Sequence, residues 1–156
     1  MCFMTDGKSL TVADVMTKSV ISVDYTLTIG ATAKMMEDAK VGSVIVMKDN
    51  LPLGIVTDRD FAITVASHGY PLSTAIEKIM STPLFSISSD DPIRLASDLM
   101  NEKRIRKLPV IDNDSVVGII TATDIVHLLT TSMEDDLRDM YFHSVVKIFE
   151  NYSPYN

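Results

Sequence analysis

Between Val20 and Thr57 the spacing of apolar positions changes three times. The run Val20–Val23 is short and β-branched, which predicts a strand. Apolar residues then recur at Ile29, Ala33 and Met36, the spacing of one helix face. Thr26, ahead of that stretch, suits a helix N-cap. Two further apolar runs, Val44–Met47 and Leu53–Thr57, flank the polar Lys48-Asp49-Asn50 and read as a hairpin. A second helix is expected from Asp58. The predicted order is β-α-β-β-α.

The same order then returns. Leu84–Ile87 reads as a strand, and Ile93, Ala96, Leu99 and Met100 as a helix face with Asp90 as its cap. Leu108–Ile111 and Val116–Thr121 flank Asp112-Asn113-Asp114, and a helix is expected from Ala122. Met16 to Met80 and Gly54 to Gly118 share one offset of 64 residues. Ser22 and Ser86, Ile29 and Ile93, Met36 and Met100, and Val46 and Val110 keep that register without a gap. A duplication at a constant period sets the architecture before any local reading. The breaker His68-Gly69-Tyr70-Pro71 joins the two periods.

The fold class expected is α/β (α+β): two β-α-β-β-α units packed sheet to sheet about a pseudo-twofold axis, plus a C-terminal helix. Each unit's sheet leaves one side needing cover, and a similar unit can supply it. The expected divisions are an extension at 1–8, units at 9–74 and 75–130, and a helix and tail at 131–156. The tail helix begins at Ser132-Met133-Glu134-Asp135, with Ser132 as N-cap and Asp135 at N3. Leu137, Met140, Tyr141, Ser144, Val145, Ile148 and Phe149 form its apolar stripe. That stripe packs back on its own domain or forms a dimer contact, and residues 150–156 are expected to fray.

Composition narrows the function. The chain of 156 residues is 46% hydrophobic and 22% charged, ordinary values for a folded domain. Its ten Met residues read as adaptable core filler. A formal net charge of −7 argues against nucleic-acid binding, which draws on cations. The local exception is Lys103, Arg104, Arg106 and Lys107, read either as a solvated face or as a source of anion attraction. One cysteine, Cys2, excludes an intrachain disulfide and a cysteine-built metal site. With neither a signal-peptide pattern nor a membrane-length apolar run, a cytoplasmic location without membrane insertion is expected.

The chemistry sits in a repeated Gly-x-x-Thr-x-x-Asp: Gly54, Thr57, Asp60, then Gly118, Thr121, Asp124. It falls where a strand ends and a helix begins, a place that favours anions. Gly would let a ligand approach the backbone. The Thr hydroxyl can donate to a phosphate, and the Asp can accept from both hydroxyls of a ribose. The plainer reading is that Thr and Asp merely cap the helix. No other catalytic constellation appears: His68, His127 and His143 share no spacing, and there is no P-loop and no zinc-protease motif.

On these residues, with Asp14-Val15-Met16-Thr17 and Ile105-Arg106-Lys107-Leu108-Pro109-Val110, the chain resembles a tandem pair of CBS domains over about residues 9–130. The resemblance implies a non-catalytic regulatory module. It implies adenosine-containing ligands (AMP, ADP, ATP or S-adenosylmethionine, with or without Mg²⁺) in up to two clefts between the halves. Asp60 and Thr57 would serve one cleft with Ser19, Val20 and Ile21; Asp124 and Thr121 would serve the other with Pro83, Leu84 and Phe85. Arg59, Arg104, Arg106 and Lys107 are added as candidate phosphate contacts. The two clefts are expected to be unequal, one binding phosphates more tightly, and Asp58 either repels charge or holds a cation. The resemblance also implies a homodimer and a partner enzyme or transporter. A ligand-free assembly module, or a sensor of Mg²⁺ or a cyclic dinucleotide, stands as the alternative.

Overall fold

The computed structural model describes residues 4–5, 8–132 and 135–151. The chain forms two compact units, and their membership cuts across the sequence periods. The first unit is Val20–Phe85; the second is Met1–Ser19 with Ser86–Asn156.

In the first unit β1 (Ser22–Asp24) pairs parallel with β2 (Ser43–Lys48), which pairs antiparallel with β3 (Leu51–Thr57). The crossover from β1 to β2 is α1 (Ile29–Ala39). Ile29 and Met36 of α1 bury against Val23, Val44, Val46 and Val56. The cap of α1 is Thr28, whose Oγ1 accepts from the Ala31 N–H at 3.2 Å. Thr26 was the expected cap, but its N–H and hydroxyl are both given to Asp24 Oδ1. Lys40 ends α1 in the left-handed region at φ 55°, and the N–H groups of Lys40 and Val41 return to Glu37 and Met36 carbonyls. That closes a Schellman turn. Asp49 and Asn50 both have positive φ (51° and 63°), as a two-residue primed hairpin turn requires.

After β3 the chain runs on as α2, residues 58–68. It starts as α-helix over Asp58–Asp60, widens to π geometry over Phe61–Val65 and returns to α over Ala66–His68. Gly69, at φ 63°, ends it.

The second unit repeats this plan with α3 (Ile93–Lys103), the hairpin β4 (Lys107–Asp112) and β5 (Ser115–Thr121), and α4 (Ala122–Ser132). The Asn113 and Asp114 turn has the same positive φ values, 49° and 62°. Pro92, not Asp90, stands at the N-cap of α3 and offers no side-chain bond. The strand expected over Leu84–Ile87 shrinks to one parallel bridge, Ile87 to Val110. The reason lies in two donors. Pro109 has no N–H where Ile45 of the first unit donates to Ile21 O at 2.9 Å. Ser89 gives its N–H to Asp112 Oδ1 at 3.0 Å, where Tyr25 donates to Met47 O.

Each period's leading segment belongs to the other period's core. Val12–Asp14 and Ile76–Lys78 are equivalent 3-10 turns. Val12 is fully buried with Ile87, Ile93 and Leu108; Ile76 is fully buried with Val23, Ile29 and Val56. Their amides match: Val12 N–H donates to Asp91 O at 2.8 Å, Ile76 N–H to Leu27 O at 2.7 Å. Thr17 and Ile119 exchange two bonds, as do Ser81 and Ile55. The two periods thus trade their leading segments between the compact units.

The tail helix α5 (Asp135–Glu150) packs on α3 and α4. Val145 and Ile148 enter the core of the second unit. Phe149, expected in the apolar stripe, is 44% exposed, and Phe142 is 58% exposed. Asn151 N–H still bonds Lys147 O, so the helix holds where fraying was expected to begin. Cys2, the Ser132 to Asp135 cap, the side chains of Leu137, Met140, Tyr141 and Ser144, and residues 152–156 lie outside the described residues. Among the Met residues read as core, Met36 and Met100 are buried but Met35 is 39% exposed.

Candidate functional site

The two Thr-x-x-Asp segments form the same local structure, one per unit. Thr57 ends β3, and its N–H and hydroxyl donate to Asp60 Oδ2 at 2.7 and 2.8 Å. Thr121 ends β5, and its N–H and hydroxyl donate to Asp124 Oδ2 at 2.8 and 2.7 Å. Each is a capping box, with the Asp carboxylate at N3 reaching back to the N-cap amide. All four bonds fall on Oδ2, which leaves Oδ1 of each carboxylate to accept from a ligand. The four side chains are half-buried, reachable yet held.

Thr11 and Asp14 make the same box on the exposed turn before Val15, with bonds of 2.9 and 3.0 Å. Capping geometry alone therefore does not mark a site. What sets the other two apart is position at the end of a sheet. Ser43 opens β2 directly opposite Thr57, and Lys107 opens β4 directly opposite Thr121. Asp58 N–H bonds Gly42 O at 3.2 Å, and Ala122 N–H bonds Arg106 O at 2.9 Å. Val20 and Ile21 lead into β1 at this same edge of the first sheet, because Ile21 O accepts from Ile45 N–H.

The glycine of the motif has another use than the one expected. A Cβ on Gly54 would stand 2.9 Å from both Met80 Sδ and Ser81 O. A Cβ on Gly118 would stand 2.5 Å from Met16 Sδ and 3.0 Å from Thr17 O. Both glycines are buried under the leading segment of the other period, so the close approach is made by the protein itself rather than by a ligand.

The remaining candidates divide between the units. Val20, Ile21, Thr57, Arg59 and Asp60 belong to the first, as do Pro83, Leu84 and Phe85. Ser19, Arg104, Arg106, Lys107, Thr121 and Asp124 belong to the second. Ser19, Pro83 and Phe85 are exposed, Leu84 half-buried. Arg59 is half-buried, and its N–H donates to Asp58 Oδ1 at 2.9 Å. Arg104 is the left-handed residue that ends α3, at φ 55°. Lys103 pairs with Glu102 at 2.6 Å. His68 is exposed and stacks on Tyr70, and His127 and His143 are exposed. Hydrogen bonds from Ser89, and then from the Ser88 hydroxyl, hold the Asp112 carboxyl below its ordinary value. The Asp112 cluster is thus a hairpin turn tied to the chain before α3. Among the described residues no group of three or more His, Cys, Asp or Glu side chains could hold a metal ion. No described helix is long and apolar enough to cross a membrane.

The exchange of Met16 and Met80 was the part sequence reasoning missed. Its one signal was that both leading segments carry a buried-type Met at the repeat offset.

Comparison with known proteins places these features in context. The family model for the CBS domain matches residues 12–67 and 76–131. The chain is 34% identical over 114 residues to the CBS domain-containing protein YhcV of Bacillus subtilis, spanning 73% of this chain and 81% of that one. It is 30% identical over 120 residues to a homoserine O-acetyltransferase of Methanohalobium evestigatum, spanning 76% of this chain but 24% of the enzyme. Among solved structures, the CBS domain pair of protein MJ0100, in complex with 5′-methylthioadenosine and S-adenosyl-L-methionine, matches with a TM-score of 0.72 at 25% identity. That match covers 80% of this chain and 98% of the other.

Proposed function

Because the chain belongs to the CBS-domain family and carries two copies of that domain, we propose that it is a regulatory module that binds adenosine-containing ligands and conveys their occupancy to a partner protein. The observation that carries this reading is the duplicated Thr-x-x-Asp at matching sheet ends, with one carboxylate oxygen of Asp60 and of Asp124 left for a ribose. The adenosine ligands held by the MJ0100 pair support the ligand class. AMP, ADP, ATP and S-adenosylmethionine are the candidates, with Mg²⁺ accompanying a polyphosphate. The likeness to about a quarter of an acetyltransferase supports a module that is found joined to an enzyme. The working form is a cytoplasmic homodimer, and the partner an enzyme or a transporter.

Thermal unfolding tests this. A ligand at a hundred times its Kd adds about 2.7 kcal/mol per site, a rise of several degrees for a domain of this size. The expected result is a rise with adenosine ligands and none with GTP. No rise with any of them at millimolar concentration would refute the reading.

A second reading has one observation in its favour. Phe142 and Phe149 face outward on α5 while Val145 and Ile148 face inward. An assembly module docking a partner on that outer stripe would keep its stability with every nucleotide and change its oligomeric state in the Phe142→Ser, Phe149→Ser protein.

A further inference from the structure

The two Thr-x-x-Asp sites are built alike but charged differently. Ser43 lies across from Thr57, and Lys107 across from Thr121. Residues directly opposite in an antiparallel pair share a face, with Cβ atoms about 4.5–5.5 Å apart. Lys107 and Thr121 therefore share a face at the end of the second sheet, where the first has Ser43 and Thr57. One residue earlier, Gly42 is replaced by Arg106, whose carbonyl binds the first amide of α4. One residue after the threonine, Asp58 is replaced by Ala122, and Asp58 is followed by Arg59 where Ala122 is followed by Thr123. At these four positions the formal charge is zero in the first site and plus two in the second.

We propose that the two sites sort adenosine ligands by charge: the Thr121/Asp124 site takes phosphorylated adenosine, and the Thr57/Asp60 site takes adenosine ligands without a phosphate. This rests on the adenosine reading above and assigns a ligand class to each site. The reason is electrostatic. A phosphate beside Thr121 lies on the face that carries Lys107, and charge-assisted bonds to phosphate are about twice as strong as neutral ones. A phosphate beside Thr57 faces Ser43 instead, and the charges of Asp58 and Arg59 cancel. An uncharged thioether or a sulfonium in the same place loses nothing by that neutrality.

Single-site proteins separate the two. Asp60→Asn leaves the second unit's site to be read, and Asp124→Asn leaves the first's. Each is titrated calorimetrically with AMP and with 5′-methylthioadenosine, which share the adenosine and differ in the phosphate. The Asp60→Asn protein is expected to prefer AMP by about tenfold or more, and the Asp124→Asn protein to show no preference for AMP. Adding Lys107→Ser to Asp60→Asn lowers AMP affinity by about tenfold and leaves 5′-methylthioadenosine unchanged. Adding Ser43→Lys to Asp124→Asn raises AMP affinity. Equal preferences in the two single-site proteins, or an AMP affinity untouched by Lys107→Ser, would overturn the assignment while leaving the adenosine reading intact. A parent protein that binds neither ligand would overturn both.

Discussion

Met16 lies over the bare backbone of Gly118, so close that a Cβ there would stand 2.5 Å from its Sδ. Met80 holds the same place over Gly54, and the leading segments of the two periods have traded cores. Gly118→Ala should therefore overpack the junction and destabilise the protein by about 1–3 kcal/mol. Met16→Ala made in the same chain should recover part of that loss, because the nearest clash is with a flexible side chain. At Gly54 the Ser81 carbonyl is as near as the sulfur, 2.9 Å, so Met80→Ala should rescue Gly54→Ala less. Denaturant unfolding of the two double-mutant cycles gives the coupling directly.

The exchange of cores predicts where a cavity is felt. Ile76 is fully buried in the first unit although it opens the second period. Ile76→Ala should cost about 2–5 kcal/mol. In native-state hydrogen exchange, amide protection should fall across β1 to β3 before it falls in β4 and β5. Losses confined to β4 and β5 would contradict the exchanged cores.

Sequence patterning made most of the fold legible, and the misses have identifiable causes. The hairpins were readable because Asp49-Asn50 and Asn113-Asp114 accept positive φ. The helix faces were readable because Ile29, Met36, Ile93 and Met100 bury at helical spacing. The α1 cap was misplaced by two residues, since Thr26 and Thr28 carry the same signal and a local turn onto Asp24, two residues earlier, takes both donors of Thr26. The strand at Leu84–Ile87 was lost to a missing donor in Pro109, a residue on another strand. The plainer reading of Thr-x-x-Asp as a helix cap was legible, because a capping box is local, but the Thr hydroxyl expected to donate to a phosphate donates to the Asp carboxylate. Membership of the cores was not, because Val12 and Ile76 look alike in sequence and only long-range contacts show which core each joins.

Asp112 provides a pH test. Hydrogen bonds from Ser89 and Ser88 depress its carboxyl pKa in the folded protein. A depressed folded pKa contributes stability above the ordinary carboxylate value, and that contribution is lost as pH falls through the folded one. The Ser88→Ala, Ser89→Ala protein should show an Asp112 pKa closer to its ordinary value of 3.8 by carboxyl-carbon NMR. Its stability deficit against the parent should be widest above that pH and shrink on acidification. A deficit that grows on acidification would contradict the assigned bonds.

The central claim is that Asp60 and Asp124 bind a ligand as well as capping a helix, and Asp→Asn separates the two duties. Asparagine keeps one side-chain oxygen to accept from Thr57 or Thr121, so the cap survives. It loses the charge and the second acceptor that a ribose needs. The measurement is calorimetric titration of the Asp60→Asn, Asp124→Asn protein with AMP and 5′-methylthioadenosine, beside its thermal unfolding without ligand. An affinity lower by about ten- to a hundredfold, with an unfolding temperature close to the parent's, is the predicted result. Affinity equal to the parent's would show that these carboxylates only cap their helices, and the assignment of the site would fall.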